Sequence, residues 1–252
     1  MGNAWWRRIW QKRITVESPA TSAPFLAREH GLDRRLKARV RLPAHNADYL
    51  PIFKNSSREL TVVDLSVGGV CLLDFQDFLL NHLSQTVPLT LQWPDREEWI
   101  MARVAGVSRH THRHLQFLEL SEQSQKQIKV LVQMGSYGQK ITQVRDLKQS
   151  PAQLLVTELW TGLQGDGLVF YDSADTLAEL TMGLITVRFH HSIAPQVVLD
   201  PDRNKTRPAL NKEISDALIC LANIPEPSGR LKDLLLRLST PTQPWLTTGS
   251  GV

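Results

Sequence analysis

The chain has 252 residues, 42% of them hydrophobic, enough for one large domain or two modest ones. No apolar run approaches the ~18 residues of a membrane span, and with only Cys71 and Cys220 a disulfide framework is excluded, so both read as reduced core thiols of a cytoplasmic protein. The net charge of +4 is uneven: residues 1–41 carry ten Lys/Arg against Glu17, Glu29 and Asp33, which points to a partner with phosphates or an acidic face.

In chain order, residues 1–13 read as a short basic amphipathic segment, with Trp6, Ile9, Trp10 and Arg13 at i, i+3, i+4 and i+7. Charge within Trp5-Trp6-Arg7-Arg8-Ile9-Trp10 breaks any secretory core. Tryptophan beside Arg/Lys suits a weak membrane-surface contact through residues 5–13 or a hydrophobic partner groove. The alternative is that the segment folds back to cover an open edge of a β-barrel or a second domain. Glu17 to Pro24 is linker-like, and residues 1–30 form one unit, a basic arm with its linker.

From Leu36 to Leu120 the pattern is mostly period two. Candidate strands are Ala38–Pro43, Glu59–Leu65, Gly69–Leu73, Pro88–Trp93, Trp99–Val107 and His114–Leu120, with a helical turn expected over Phe75–Leu83. Six short strands without strand–helix alternation predict a small barrel. Ser121 then caps a helix with Ile128, Leu131 and Val132 on one face, and Gly135 is expected to stop it. Residues 31–138 thus form a barrel domain with a C-terminal helix, and the fold class is mainly β.

Residues 150–245 read as a smaller α+β domain. Gln153–Leu163 and Leu168–Tyr171 flank the turn Gln164-Gly165-Asp166-Gly167, and Leu184–His190 is a further strand. Helices follow at Lys212–Asn223 and at Gly229–Leu238 with Ser228 as N-cap.

Two clusters carry chemistry. Arg34-Arg35-Leu36-Lys37-Ala38-Arg39-Val40-Arg41 precedes and enters the first candidate strand, and Asp64-Leu65-Ser66-Val67-Gly68-Gly69 joins the next two. Arginine's planar fork grips phosphate oxygens or guanine O6 and N7 bidentately. Asp64 is an acceptor suited to guanine N1–H and N2–H2, Ser66 offers a small hydroxyl, and Gly68 and Gly69 permit positive φ and close backbone approach. Arginines alone bind any polyphosphate; the aspartate points to guanine.

Arg35 and Arg39 followed by Asp64, Ser66 and Gly69 resemble the signature of the PilZ domain family, RxxxR and then [D/N]xSxxG, over about residues 30–135. The resemblance implies a non-catalytic bacterial receptor that binds cyclic di-GMP and regulates an unknown protein effector, in exopolysaccharide synthesis, motility or pilus function. It names Arg34, Arg35, Arg39, Asp64, Ser66, Gly68 and Gly69 as the binding residues. In the family, an arginine at the place of Arg34 is associated with the intercalated messenger dimer. The alternative is a ligand-free PilZ-like adaptor. Nucleic acid is disfavoured because the candidate strands lack an exposed aromatic ladder.

Other features read as structure. His110, His112 and His114 alternate as ligands on one face would, but Arg109 and Arg113 would repel a cation, so the segment reads as a wet hairpin tip and no metal site is expected. His190-His191 read as strand residues, Gly162–Gly167 as a turn without the Lys-Ser/Thr of a phosphate loop, and Asp200-Pro201-Asp202 as an exposed loop. No catalytic motif appears, so no enzyme is expected.

Overall fold

A computed structural model of the chain describes residues 38–43, 49–56, 58–73, 84–108, 111–144, 156–162, 166–173, 175–200 and 205–239. Strands β1 (Ile52–Asn55), β2 (Arg58–Ser66), β3 (Gly69–Leu73), β4 (Thr86–Gln92), β5 (Glu97–Ser108) and β6 (His112–Glu119) close an antiparallel barrel in the order β1-β2-β3-β6-β5-β4. Side-chain alternation explains the closure. On β5, Ile100, Ala102 and Val104 are buried while Trp99, Met101 and Arg103 face out. On β1, Phe53 is fully buried and sits opposite Leu60 on β2 and Leu91 on β4, so a four-residue strand joins the two edges.

Helix α1 (Glu122–Gly138) follows the barrel. The Ser121 hydroxyl accepts from the Ser124 amide, and Ile128, Leu131 and Val132 are buried. Ser124 also accepts from Trp93 Nε1 at 2.9 Å, which ties the start of α1 to the β4–β5 turn. Near its other end, Gly135 lies against Val40.

The remaining strands are β7 (Thr142–Gln143), β8 (Val156–Thr161), β9 (Gly167–Tyr171), β10 (Thr176–Met182), β11 (Ile185–His190), β12 (Gln196–Asp200) and β13 (Lys205–Pro208). They form a second sheet in which each pairs antiparallel with its sequence neighbour. Helices α2 (Asn211–Ala222) and α3 (Gly229–Ser239) complete the fold. Ser228 caps α3 through the Leu231 amide at 3.2 Å. Trp160, Phe170, Leu180 and Phe189 of the sheet, Leu218 of α2 and Leu231 of α3 are buried in one continuous core with Leu65 and Ile100 of the barrel.

The architecture is therefore mainly β, a six-stranded barrel with C-terminal helices and a second sheet, as the periodicity predicts. Several expectations are corrected. Ala38–Pro43 is not a barrel strand: its one β contact is the bridge Val40–Leu65, and Ile52–Asn55, unassigned from sequence, takes the place. Pro43 lacks a donor for continued pairing, whereas Phe53 has two apolar partners waiting. Gly135 does not stop α1, which runs to Gly138, because Gly135 is a packing glycine inside the helix. β7, β10, β12 and β13 have no counterpart among the strands expected from the sequence. The expected turn over Phe75–Leu83 and the basic segment of residues 1–13 lie outside the described residues.

His112 opens β6 beside Thr111, and His114 Nε2 lies 2.7 Å from the Ser108 hydroxyl across the strand pair; His110 is outside the described residues. No group of three metal-ligating side chains occurs among the described residues. No helix among them is long and apolar enough to cross a membrane.

Candidate ligand-binding site

The two clusters meet because one residue pair brings them together. Val40 N donates to Leu65 O at 2.9 Å and Leu65 N to Val40 O at 2.8 Å, so the backbone of residues 39–41 runs antiparallel to the end of β2. That register sets Arg39 beside Asp64, and Arg39 Nη1 donates to Asp64 Oδ1 at 2.7 Å. The side chains are 30% and 23% exposed, so the pair lies at the surface, within reach of a ligand. Ser66, buried, donates through its hydroxyl to Gly69 O at 3.1 Å and closes the β2–β3 turn. Gly68 O accepts from Phe117 N at 3.1 Å, which anchors the turn to β6.

Of the two properties expected of Gly69, the structure uses close backbone approach and not positive φ. Its φ is not positive, since Gly183 is the one positive-φ glycine among the described residues. A Cβ at Gly69 would instead lie 2.1 Å from the carbonyl oxygen of Leu115, so only glycine lets β3 approach β6 there. Of the seven residues read from sequence, the structure gathers Arg39, Asp64, Ser66, Gly68 and Gly69 at one rim of the barrel. Arg34 and Arg35 are outside the described residues.

Two further side chains shape this rim and escaped the sequence reading. Gln139 Nε2 donates to Arg39 O at 2.7 Å. Asn223, which caps the end of α2, accepts from Arg41 N at 2.8 Å and donates to Arg41 O at 2.9 Å. They come from 100 and 182 residues away along the chain, so no local pattern announces them.

A second concavity, of about 480 Å³, lies between the β4–β5 turn, the first half of α1 and the start of α2. Tyr49, Trp93 and Leu131 form its apolar wall, and Lys126, Lys212 and Asp216 its polar one. Burial pushes the Asp216 carboxyl up to about 6; Lys212 works against that and Glu213 adds to it. On β5, Glu98 is drawn upward by burial, but hydrogen bonds from Ser124 and Ser121, with Arg96 nearby, hold it below the usual carboxylate range. This pocket contains none of the clustered motif residues.

No family model matches the chain, and no curated protein matches it. Two of the solved structures similar to it are the following. One is an uncharacterized Legionella protein, Lpg0364, with 14% identity and a TM-score of 0.29, covering 39% of this chain and 94% of that one. The other is the PilZ domain of YcgR from Escherichia coli with c-di-GMP, with 16% identity and a TM-score of 0.28, covering 38% of this chain and 86% of that one. Both likenesses are slight.

Proposed function

We propose that the chain is a PilZ-type, non-catalytic receptor for cyclic di-GMP, with its site at the barrel rim where residues 39–41 cross the end of β2. The observation that carries the reading is the juxtaposition of Arg39 and Asp64, a guanidinium and a carboxylate at 2.7 Å, partly open to solvent and beside the Ser66–Gly69 turn. Guanine offers the complementary pair on one base, with acceptors at O6 and N7 and donors at N1 and N2. Arg39 serves the acceptors or a phosphate, Asp64 the donors, and Arg34 and Arg35 add cations from the segment just before. Residues 31–138 act as the receptor unit, and its output is a protein effector. The adaptor reading draws on one observation, that Asp64 is already engaged by Arg39.

Calorimetry with cyclic di-GMP against GTP, GMP and short oligonucleotides tests the assignment. Cyclic di-GMP binds selectively, and Arg35→Ala, Arg39→Ala and Asp64→Ala each lose a charged contact worth about 1.5–3 kcal/mol, roughly ten- to hundredfold in affinity. Wild-type affinity in Arg39→Ala and Asp64→Ala would remove this site. Absence of binding by the unmodified chain would leave the adaptor reading.

A further inference from the structure

In an extended segment, successive residues turn their N–H and C=O groups to opposite sides. Residues 39–41 use both sides. Val40 pairs with Leu65 of β2, while Arg39 and Arg41 face the other way and are met by side chains from distant elements. Asn223 reproduces what a neighbouring strand would offer, since its Oδ1 accepts from Arg41 N and its Nδ2 donates to Arg41 O, at 2.8 and 2.9 Å. A third bond, from Nδ2 to Ile219 O at 2.9 Å, fixes the amide on α2. The residue is buried, so these bonds compete little with water.

The packing agrees with the hydrogen bonds. A Cβ at Gly135 would lie 2.4 Å from Val40 Cγ1 and 3.1 Å from Asn223 Nδ2. Glycine in α1 therefore makes room for Val40 and Asn223 at the same point. The segment that carries Arg39 is a strap clamped between β2, α1 and the end of α2.

We infer that Asn223 is a positioning residue for Arg39, and that through it the C-terminal helices complete the ligand site and sense its occupancy. This rests on the receptor reading for the identity of the ligand. Asn223 touches no ligand atom; it acts by holding the strap, and so Arg39, at the distance that meets Asp64. Linkage makes the effect reciprocal: if the clamp favours ligand binding, the ligand favours the clamp by the same factor. Binding at the rim thus tightens the end of α2, and loss of ligand loosens it.

The test is a double-mutant cycle on the full chain with cyclic di-GMP as the probe, comparing Asn223→Ala, Arg39→Ala and the pair. Asn223→Ala weakens binding about tenfold, within the roughly 5- to 150-fold range of coupled sites. It adds almost nothing in the Arg39→Ala background, because its effect passes through Arg39. Unchanged affinity in Asn223→Ala, or full additivity with Arg39→Ala, overturns the inference. Gln139→Ala, at an exposed position, is the variant least disturbing to folding, and it weakens binding by a smaller factor that also vanishes without Arg39.

A measurement without ligand separates this inference from the receptor reading. Asn223→Ala speeds hydrogen exchange at the Arg41 amide, whether or not any nucleotide binds; equal exchange in the two proteins rejects the clamp. Should Asn223→Ala fail to fold, exchange in the unmodified chain decides. Slower exchange at Arg41 and over residues 219–223 with cyclic di-GMP upholds the coupling, and unchanged exchange there rejects it.

Discussion

Replacing Gly138 by alanine puts a methyl group where two helices already touch through their backbones. A Cβ there would lie 2.0 Å from the carbonyl oxygen of Cys220 on α2 and 2.9 Å from its carbonyl carbon. A carbon–oxygen contact is ordinarily about 3.3–3.6 Å, so the helices must part by more than about 1 Å. Both clashing groups belong to main chain, and no side-chain rotation relieves them. Overpacking of this kind costs about 1–3 kcal/mol, and rigid backbone on both sides places the cost near the upper end. Alanine returns about 1 kcal/mol of helix propensity over glycine. The net loss is about 2 kcal/mol, a fall in Tm of roughly 4–8 °C for a chain of this size. Gly229→Ala is the control, since at the start of α3 nothing lies within 4 Å of the added methyl, and its Tm is equal or slightly higher. Calorimetric melting of the two variants beside the unmodified chain checks the reasoning. A Gly138→Ala protein as stable as the original would mean that the close approach of α1 and α2 is not a feature of the fold.

Ser124→Ala leaves the buried Trp93 Nε1–H without its acceptor and removes a hydroxyl shared with Arg96 and Glu98, at a cost of about 1–3 kcal/mol. Urea unfolding should show a lower midpoint with an unchanged slope; an unchanged midpoint contradicts the network. Asp216 has a folded-state value of about 6, above its ordinary 3.8, so the folded protein binds the extra proton and loses stability as pH rises between those values. With Lys212 and Glu213 as the charged groups acting on it and solvent screening its outer side, Asp216→Asn gains of order 1 kcal/mol at pH 7.5. Melting curves of the two proteins should converge near pH 4, and a constant gap across pH 4–8 would show that the carboxyl is not destabilised in the fold.

How much was readable depends on where the determining contacts lie. β5 announces itself through alternation, burying Ile100, Ala102 and Val104 on one face, whereas β3 buries Val70, Cys71 and Leu72 in succession and is legible as a short apolar run bounded by glycine. Ile52–Asn55 carries only one fully buried side chain, Phe53, and becomes a strand because β2 and β4 pair with it from both sides. That is tertiary information. The same holds for β12 and β13, whose mixed exposure hides any period, with Leu199 on β12 half-exposed. Gly135 has the composition of a helix stop, but its use as a packing residue depends on Val40, far away in sequence. The site divides in the same way. Asp64, Ser66 and Gly69 fall within six residues and form their own turn, whereas Asn223 has meaning only once α2 has been brought against the strap.

The Arg39–Asp64 pair bears on which of the two readings of the rim the energetics favour. If the pair were buried, opening it to admit a base would leave charges in low dielectric and cost several kcal/mol. At 30% and 23% exposure it is instead a partly solvated pair, and such contacts are worth about 0–1 kcal/mol. A guanine that takes over both partners returns about 1.5–3 kcal/mol for each charged hydrogen bond. The exchange runs toward the ligand by at least about 0.5 kcal/mol even if only one new contact is good. An ion pair of this exposure therefore places the donor and the acceptor without locking them, and the prior engagement of Asp64 is a weak argument for a ligand-free adaptor.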